Sequence, residues 1–350
     1  MGTTSVAHAV PPDPQVEGQE VHWRDALYPY AQADVRRSMA CLGTSVVPYL
    51  ALMVAMWLLL PVSYALVLLL AIPASGFLVR TFIVFHDCTH GSFMPTRRGN
   101  TWVGILAGLI VYTPFHSWRH EHAQHHASSG DLDRRGLGDV ETWTVAEYRS
   151  KPRLSRLGYR LFRSPFVMFT LGPIWALALA PRMIPMGARP RIRRSHLYTD
   201  VALLAIVGGI ILLIGWRDYL LLQVPTILIG GGAGVWLFYV QHQFEDAYWE
   251  RSDEWSYIDA ALAGSSYLKL PKVLQFFTGN IGLHHIHHLL ARIPNYNLQR
   301  AHDENQFLHR APTISLWQGL CAVRLKLYDE DARRMVTWAQ ARASVAGRAA

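Results

Sequence analysis

The sequence predicts an all-α integral membrane protein: four transmembrane helices in two hairpins, with a cytoplasmic helical cap holding a His-rich di-metal site. Three observations carry this reading. Ser38 to Val79 is a run of 42 residues without Asp, Glu, Lys or Arg, and one crossing of the hydrocarbon needs about 20 apolar residues. A second apolar pair follows at 200–215 and 219–240, parted by Trp216-Arg217-Asp218. Finally, the chain has 17 histidines, and most of them fall in three clusters outside these spans.

Composition agrees with a membrane chain. Of 350 residues 51% are hydrophobic and only 17% charged, against about 25% charged in a soluble domain. With 12 Trp, 15 Tyr and 13 Phe disorder is excluded. The net charge of +8 sits in arginines between apolar runs, a pattern that suits anionic lipid headgroups and not nucleic acid. Cys41, Cys88 and Cys321 are odd in number and far apart, so no disulfide framework is expected.

Residues 1–20 carry three prolines and no apolar run, which predicts a flexible lead without a signal peptide. One membrane domain is expected over 21–330, with a tail over 331–350. The uncharged run contains Pro61-Val62-Ser63 and reads as a tight hairpin of spans near 42–60 and 62–80. Gly230 and Gly234 in the fourth span have the small-xxx-small spacing of close helix contacts. Two shorter apolar stretches, 101–115 and 165–180, are expected to be interfacial or re-entrant. If 165–180 crossed alone, the loop with Arg182, Arg189, Arg191, Arg193 and Arg194 would lie outside, against the positive-inside tendency.

The first histidine cluster is His86-Asp87-Cys88-Thr89-His90. The second runs from His116 through His120 and His122 to His125-His126, and the third is His284-His285-Ile286-His287-His288. Spacings of i,i+4 and i,i+3,i+4 stack imidazoles on one helix face, where they can converge on one or two ions. A chance HxxHH is expected about 0.04 times in a chain of this composition; here there are two, plus an HxxxH. Imidazole-only spheres suit Zn, Cu, Fe or Ni. Asp87, Glu121, Asp131, Asp133, Asp139 and Glu141 adjoin the clusters as candidates to orient the ring N–H groups. His8, His22, His196, His302 and His309 read as ordinary structural histidines.

FHDCTHGSF, WRHEHAQHHASSGDLDRRGLGD and TGNIGLHHIHHLLARIPNYNL resemble the three histidine boxes of the membrane fatty acid desaturases, the bacterial acyl-lipid type in particular. The likeness extends over roughly 20–310 and includes the order hairpin, two boxes, hairpin, box. It implies a non-haem di-iron centre that uses O2 and an electron pair to place a cis double bond in a fatty acyl chain. It implies ligands at His86, His90, His122, His125, His126, His284, His287 and His288. Family members often have a further ligand between boxes two and three, and His242 at the end of the fourth span offers itself. Asp87, His116, His120, Asn280 and His285 are placed around the ligands, and Trp102, Tyr112, Phe115 and Trp118 are candidates to line an acyl tunnel.

No haem-binding or ferredoxin-like module is visible, so electrons must come from a separate ferredoxin or flavoprotein-linked carrier. The basic stretches Arg134-Arg135 and Arg189–Arg194 are candidates to dock it. An acyl hydroxylase or acetylenase would use similar boxes. A metal transporter would set its ligands inside the spans, and a zinc peptidase would need HExxH; His120-Glu121 is followed at i+4 by Gln124.

Overall fold

The computed structural model describes residues 15–16, 19–20, 22–136 and 140–346. The flexible lead expected over 1–20 lies largely outside the described residues, as do His8 and Asp139. Within the lead, Gln15–Val16 pairs antiparallel with Gln19–Glu20.

Among the described residues four helices are long and apolar enough to cross a membrane: Val35–Leu59, Tyr64–His90, Pro190–Ile214 and Trp216–His242. They form the two expected hairpins, turning at 60–63 and at Gly215, whose φ of 86° suits only glycine at so tight a corner. The first three helices outrun their apolar pattern at the end that reaches the cap, and the fourth by two or three residues at each end. The second runs ten residues past the expected boundary at 80, and the third begins at 190 instead of 200. The extension of the second helix over 81–90 is buried almost throughout, and that of the third buries only Ile192, Ser195, His196 and Thr199, so helix formation at these ends is sustained by packing on one face and not by hydrocarbon.

Close approach holds the bundle together. A Cβ on Gly230 would meet the Ser75 carbonyl at 3.2 Å, and Ser75 Oγ donates to the Thr226 carbonyl at 3.0 Å. Gly234, the other member of the expected pair, faces open space. Instead Gly231 and Gly232 make room for Pro173, Leu177 and the Phe169 carbonyl, which belong to the apolar stretch expected at 165–180. That stretch is wound in wide π-type turns at Val167–Leu171 and Ile174–Leu179, and bends by 58° from Arg153–Phe162. Gly231 lies eleven residues from His242, about 16 Å along the helix. Both ends of the stretch return toward the cap: Arg163 donates to Gln243, and the Pro181 carbonyl lies 2.9 Å from His196 Nδ1. The other short stretch is the helix Arg97–Ile110, followed by a turn at Tyr112 into the helix Phe115–Ser128 that bears the second histidine cluster.

The cap is assembled from short helices and two small sheets, Tyr267–Lys269 with Thr313–Ser315 and Leu327–Asp329 with Arg334–Val336. The segment expected as a tail, 331–350, is instead packed as far as it is described: Met335, Val336 and Ala341 are buried, because the Arg334–Val336 strand and the Trp338–Ala346 helix close the apolar surface around Val145 and Tyr159.

Arg163 is wholly buried and ties four segments together. It donates to the Glu141 carbonyl, Tyr239 Oη, Gln243 Oε1 and the Leu325 carbonyl at 2.8–3.2 Å, and its own carbonyl accepts from Lys326 Nζ at 2.6 Å. Among the described residues the two side chains are met by neutral oxygens and no carboxylate pairs with either. Arg163→Ala strands several buried acceptors and is expected to cost about 3 kcal/mol or more, read as a lower unfolding temperature in detergent; an unchanged temperature contradicts this role.

Candidate metal centre

The helical register of each histidine cluster decides which imidazoles meet. His86 and His90 occupy the last turn of the second span, His122, His125 and His126 the helix Phe115–Ser128, His242 the end of the fourth span, and His284, His287 and His288 the helix His284–Leu289. Nine of them converge in two adjoining groups, His86, His90, His122, His126 and His287 in one, and His125, His242, His284 and His288 in the other. In each group one ring nitrogen per residue lies within 4.8 Å of all the others. Each i,i+4 pair enters a single group, whereas the i+3 member of each HxxHH crosses to the neighbour. The second cluster gives its pair to the first group and His125 to the second; the third cluster does the reverse. Helix Tyr64–His90 contributes only a pair of rings, and the fourth span only His242, which makes the groups five and four.

The nitrogen spacings identify what such a cluster can hold. His122 Nε2 is 3.0 Å from His86 Nε2 and 3.1 Å from His126 Nε2, which is in turn 3.0 Å from His287 Nε2. In the second group His284 Nε2 lies 3.0 Å from His242 Nε2. An imidazole nitrogen has one in-plane direction, holding either a proton or a lone pair. It cannot satisfy two nitrogen neighbours by hydrogen bonding, but lone pairs aimed at a shared cation can sit this close. Nitrogens about 2.1 Å from an ion and at right angles are about 3.0 Å apart, against about 3.4 Å for tetrahedral placement. Among the described residues the buried Nε2 atoms of His90 and His288 have no hydrogen-bond partner, as donors reserved for an ion would not.

Electrostatics keep the donors ready. Burial first, and then the neighbouring imidazoles, hold His122, His126, His284, His287 and His288 well below the ordinary histidine range. They are neutral at physiological pH, the state a metal requires.

The supporting residues come from all parts of the chain. Buried Asp87 places Oδ1 3.2 Å from His86 Nδ1, while its Oδ2 accepts from the Asn295 backbone N and Nδ2 at 2.7 and 2.8 Å. Asn280 Nδ2 donates to the Asn295 carbonyl at 2.9 Å, so it reaches His86 only through Asn295 and Asp87. His242 Nδ1 lies 3.2 Å from the Gly264 carbonyl, and Trp118 stacks on His122 at 4.2 Å.

Several candidates lie elsewhere. His120 is exposed. His116 is half-buried beside Phe115, outside both groups. His285 turns to the opposite side of its helix, against Tyr267 and His302. Glu121 accepts from Ser117, Glu141 from Trp143, Asp131 from Arg134 and Ser252, and Asp133 from Arg251, so none of these four is bonded to a ring of the centre. Trp102 is 66% exposed and faces outward, and Phe115 is buried against the Gly104 backbone. Tyr112 Oη meets Tyr219 Oη at 2.9 Å inside the bundle. Asn295, Trp118 and Gly264 were not singled out as supports in the sequence; for Asn295 the signal was the PNYNL run after the third cluster.

Asp87→Asn removes the anion that orients His86. Affinity for a divalent metal is expected to fall about 10–100-fold, measured by titrating the metal into the purified apoprotein, and wild-type affinity would contradict the role of Asp87.

The chain matches known proteins along the same stretch. A family model described as Fatty acid desaturase covers residues 55–316. A Bacillus subtilis (strain 168) protein named Fatty acid desaturase is 45% identical over 309 residues, 88% of each chain. An sn-1 oleoyl-lipid 12-desaturase of Synechocystis sp. is 28% identical over 265 residues, 75% of this chain and 72% of that one. A second Synechocystis protein, an sn-1 acyl-lipid omega-3 desaturase (ferredoxin), is 29% identical over 231 residues, 63% of this chain and 62% of its own. By the reach of the family model and the likeness to the Bacillus protein, the chain belongs to the fatty acid desaturase family and is an integral membrane enzyme of that class.

Proposed function

We propose that the enzyme introduces a cis double bond into the fatty acyl chain of a membrane lipid, with O2 as co-substrate and two irons as cofactor. One iron would be held by His86, His90, His122, His126 and His287, and the other by His125, His242, His284 and His288. The observation that carries this reading is the pair of adjoining all-imidazole groups, five and four donors strong, set at the capped ends of four spans. An iron pair of this kind supplies an oxidant strong enough for an unactivated C–H bond.

The protein's own share is placement and exclusion. Asp87 fixes the His86 ring from behind and is itself fixed by Asn295, so that ligand cannot swing away during turnover. The Gly264 carbonyl does the same for His242. Trp118 covers one face of His122, and Phe238 lies 5.1 Å from the His125 ring; both keep water from the donors.

A separate carrier, a ferredoxin or a flavoprotein-linked protein, would deliver the electrons; one of the similar proteins has ferredoxin in its name. Of the two basic stretches, Arg134-Arg135 is committed to Asp131 and Glu147. Arg189, Arg193 and Arg194 are exposed and have no ion pair among the described residues, which suits an acidic carrier. Positive loops on the cap side favour an enzyme of the bacterial inner membrane with the cap and both termini in the cytoplasm.

The test is a fatty acid profile. Expressed with a ferredoxin and its reductase in a host that makes only saturated and monounsaturated acids, the enzyme is expected to yield a new unsaturated acid. Mass spectrometry of the methyl esters locates the bond, and His287→Ala is expected to abolish it while the protein stays in the membrane. A hydroxy or acetylenic product, or near-normal output from His287→Ala, contradicts the proposal.

A further inference from the structure

We infer that Arg97, Arg119 and Arg191 form a phosphate site that holds the headgroup of the acyl lipid at the approach to the metal centre. The inference rests on the lipid-linked reading above and names the chemistry that would recognise the substrate's polar end.

The three arginines come from three elements that pack on one another. Arg97 opens the helix Arg97–Ile110, Arg119 lies in the middle of Phe115–Ser128, and Arg191 is in the first turn of the third span. The His116 backbone N donates to Ser195 Oγ at 3.1 Å, and His196 Nε2 lies 2.9 Å from Ser117 Oγ. Ser195 is one turn past Arg191 and His116 one turn before Arg119, so this seam brings both arginines to one edge. Phe115 fills the space over Gly104 and draws the Arg97 helix to the same place.

Charge at this edge is uncompensated. Burial, then Arg97 and Arg191, pull the Arg119 guanidinium below its ordinary value. Half-buried His116 is pushed down to about 4 by burial, then by Arg191, Arg119 and Arg97. Among the described residues no ion pair engages any of the three, whereas Arg134, Arg135, Arg182, Arg251, Arg300, Arg333 and Arg334 each have one. The carboxylate nearest in sequence, Glu121, accepts from Ser117. Guanidinium groups carried by three packed helices, with no ion pair among the described residues, are a fit for phosphate, whose oxygens take their forked donors in pairs.

Two further features select a lipid as the source. Trp102 and Tyr198, on the helices of Arg97 and Arg191, are 66% and 67% exposed, the mark of rings at headgroup depth. Arg119 is one turn ahead of His122 and two turns ahead of His126, so a headgroup held there has its acyl chains beside the first histidine group. An electron carrier would instead need a broad face of about 800 Å².

The primary readout counts retained lipid without turnover, and desaturation with ferredoxin is measured separately on the same preparations. The purified, iron-loaded enzyme is offered equal amounts of phosphatidylglycerol and monogalactosyldiacylglycerol with identical acyl chains, and bound lipid is measured by mass spectrometry. About tenfold enrichment of phosphatidylglycerol is expected, the effect of one or two charge-assisted hydrogen bonds. R97Q/R119Q/R191Q should lose the preference at unchanged iron content, and Arg119→Lys, which keeps the charge but not the forked donor, should retain only part of it. Absence of a preference in the wild-type enzyme, or its survival in the triple variant, overturns the site. Stronger, arginine-dependent retention of the matching acyl-CoA overturns the lipid as the source. A variant with intact lipid preference but a raised requirement for ferredoxin overturns it in favour of carrier docking. If the wild-type enzyme retains phosphatidylglycerol through these arginines yet desaturates nothing, the phosphate site stands and the catalytic reading falls.

Discussion

Two groups of imidazole nitrogens, several of them 3.0–3.1 Å from a neighbour, set the condition that the rest of the structure meets. Rings this close cannot all satisfy one another by hydrogen bonding, because each nitrogen has a single in-plane direction. Left without a cation they would be a buried cluster of unpaired polar groups. The fold must therefore deliver nine rings to two points and also tolerate the cost of holding them there. It does so by drawing donors from four segments, two of which are the ends of membrane spans and so among the stiffest parts of the chain.

That requirement explains features outside the centre. The second and fourth spans must reach the cap at a fixed separation, and Gly230 against Ser75 sets it by allowing backbone contact. Arg163 then fixes Tyr239 and Gln243, which flank His242 in the chain. The first cluster is oriented through Asp87, which is held in turn by Asn295, six residues beyond the helix of the third cluster. In this way one side chain, Asp87, ties the first cluster to a residue 208 positions later, just beyond the third.

How much of this was legible depends on the range of the interaction. The HxxxH and HxxHH spacings are local, and a helix converts them into shared faces without reference to anything else, so the ligand candidates and the hairpins could be read directly. The division of nine histidines into five and four could not. It depends on how three helices cross, which sends His125 away from His122 and His126 and sends His287 away from His284 and His288. Span ends were misjudged by up to ten residues because hydropathy records only the lipid-facing stretch, while the helices continue under the cap. His285 shows the converse: its spacing matches its neighbours, yet the helix turns it toward His302.

Metal analysis with X-ray absorption on the purified, iron-reconstituted enzyme tests the central claim most directly. Two irons per chain, each in a shell of imidazole nitrogens five- or six-coordinate in character, are the predicted result. One iron or none per chain, or a tetrahedral or sulfur-containing shell, would contradict the assignment of the nine histidines to two adjoining ions.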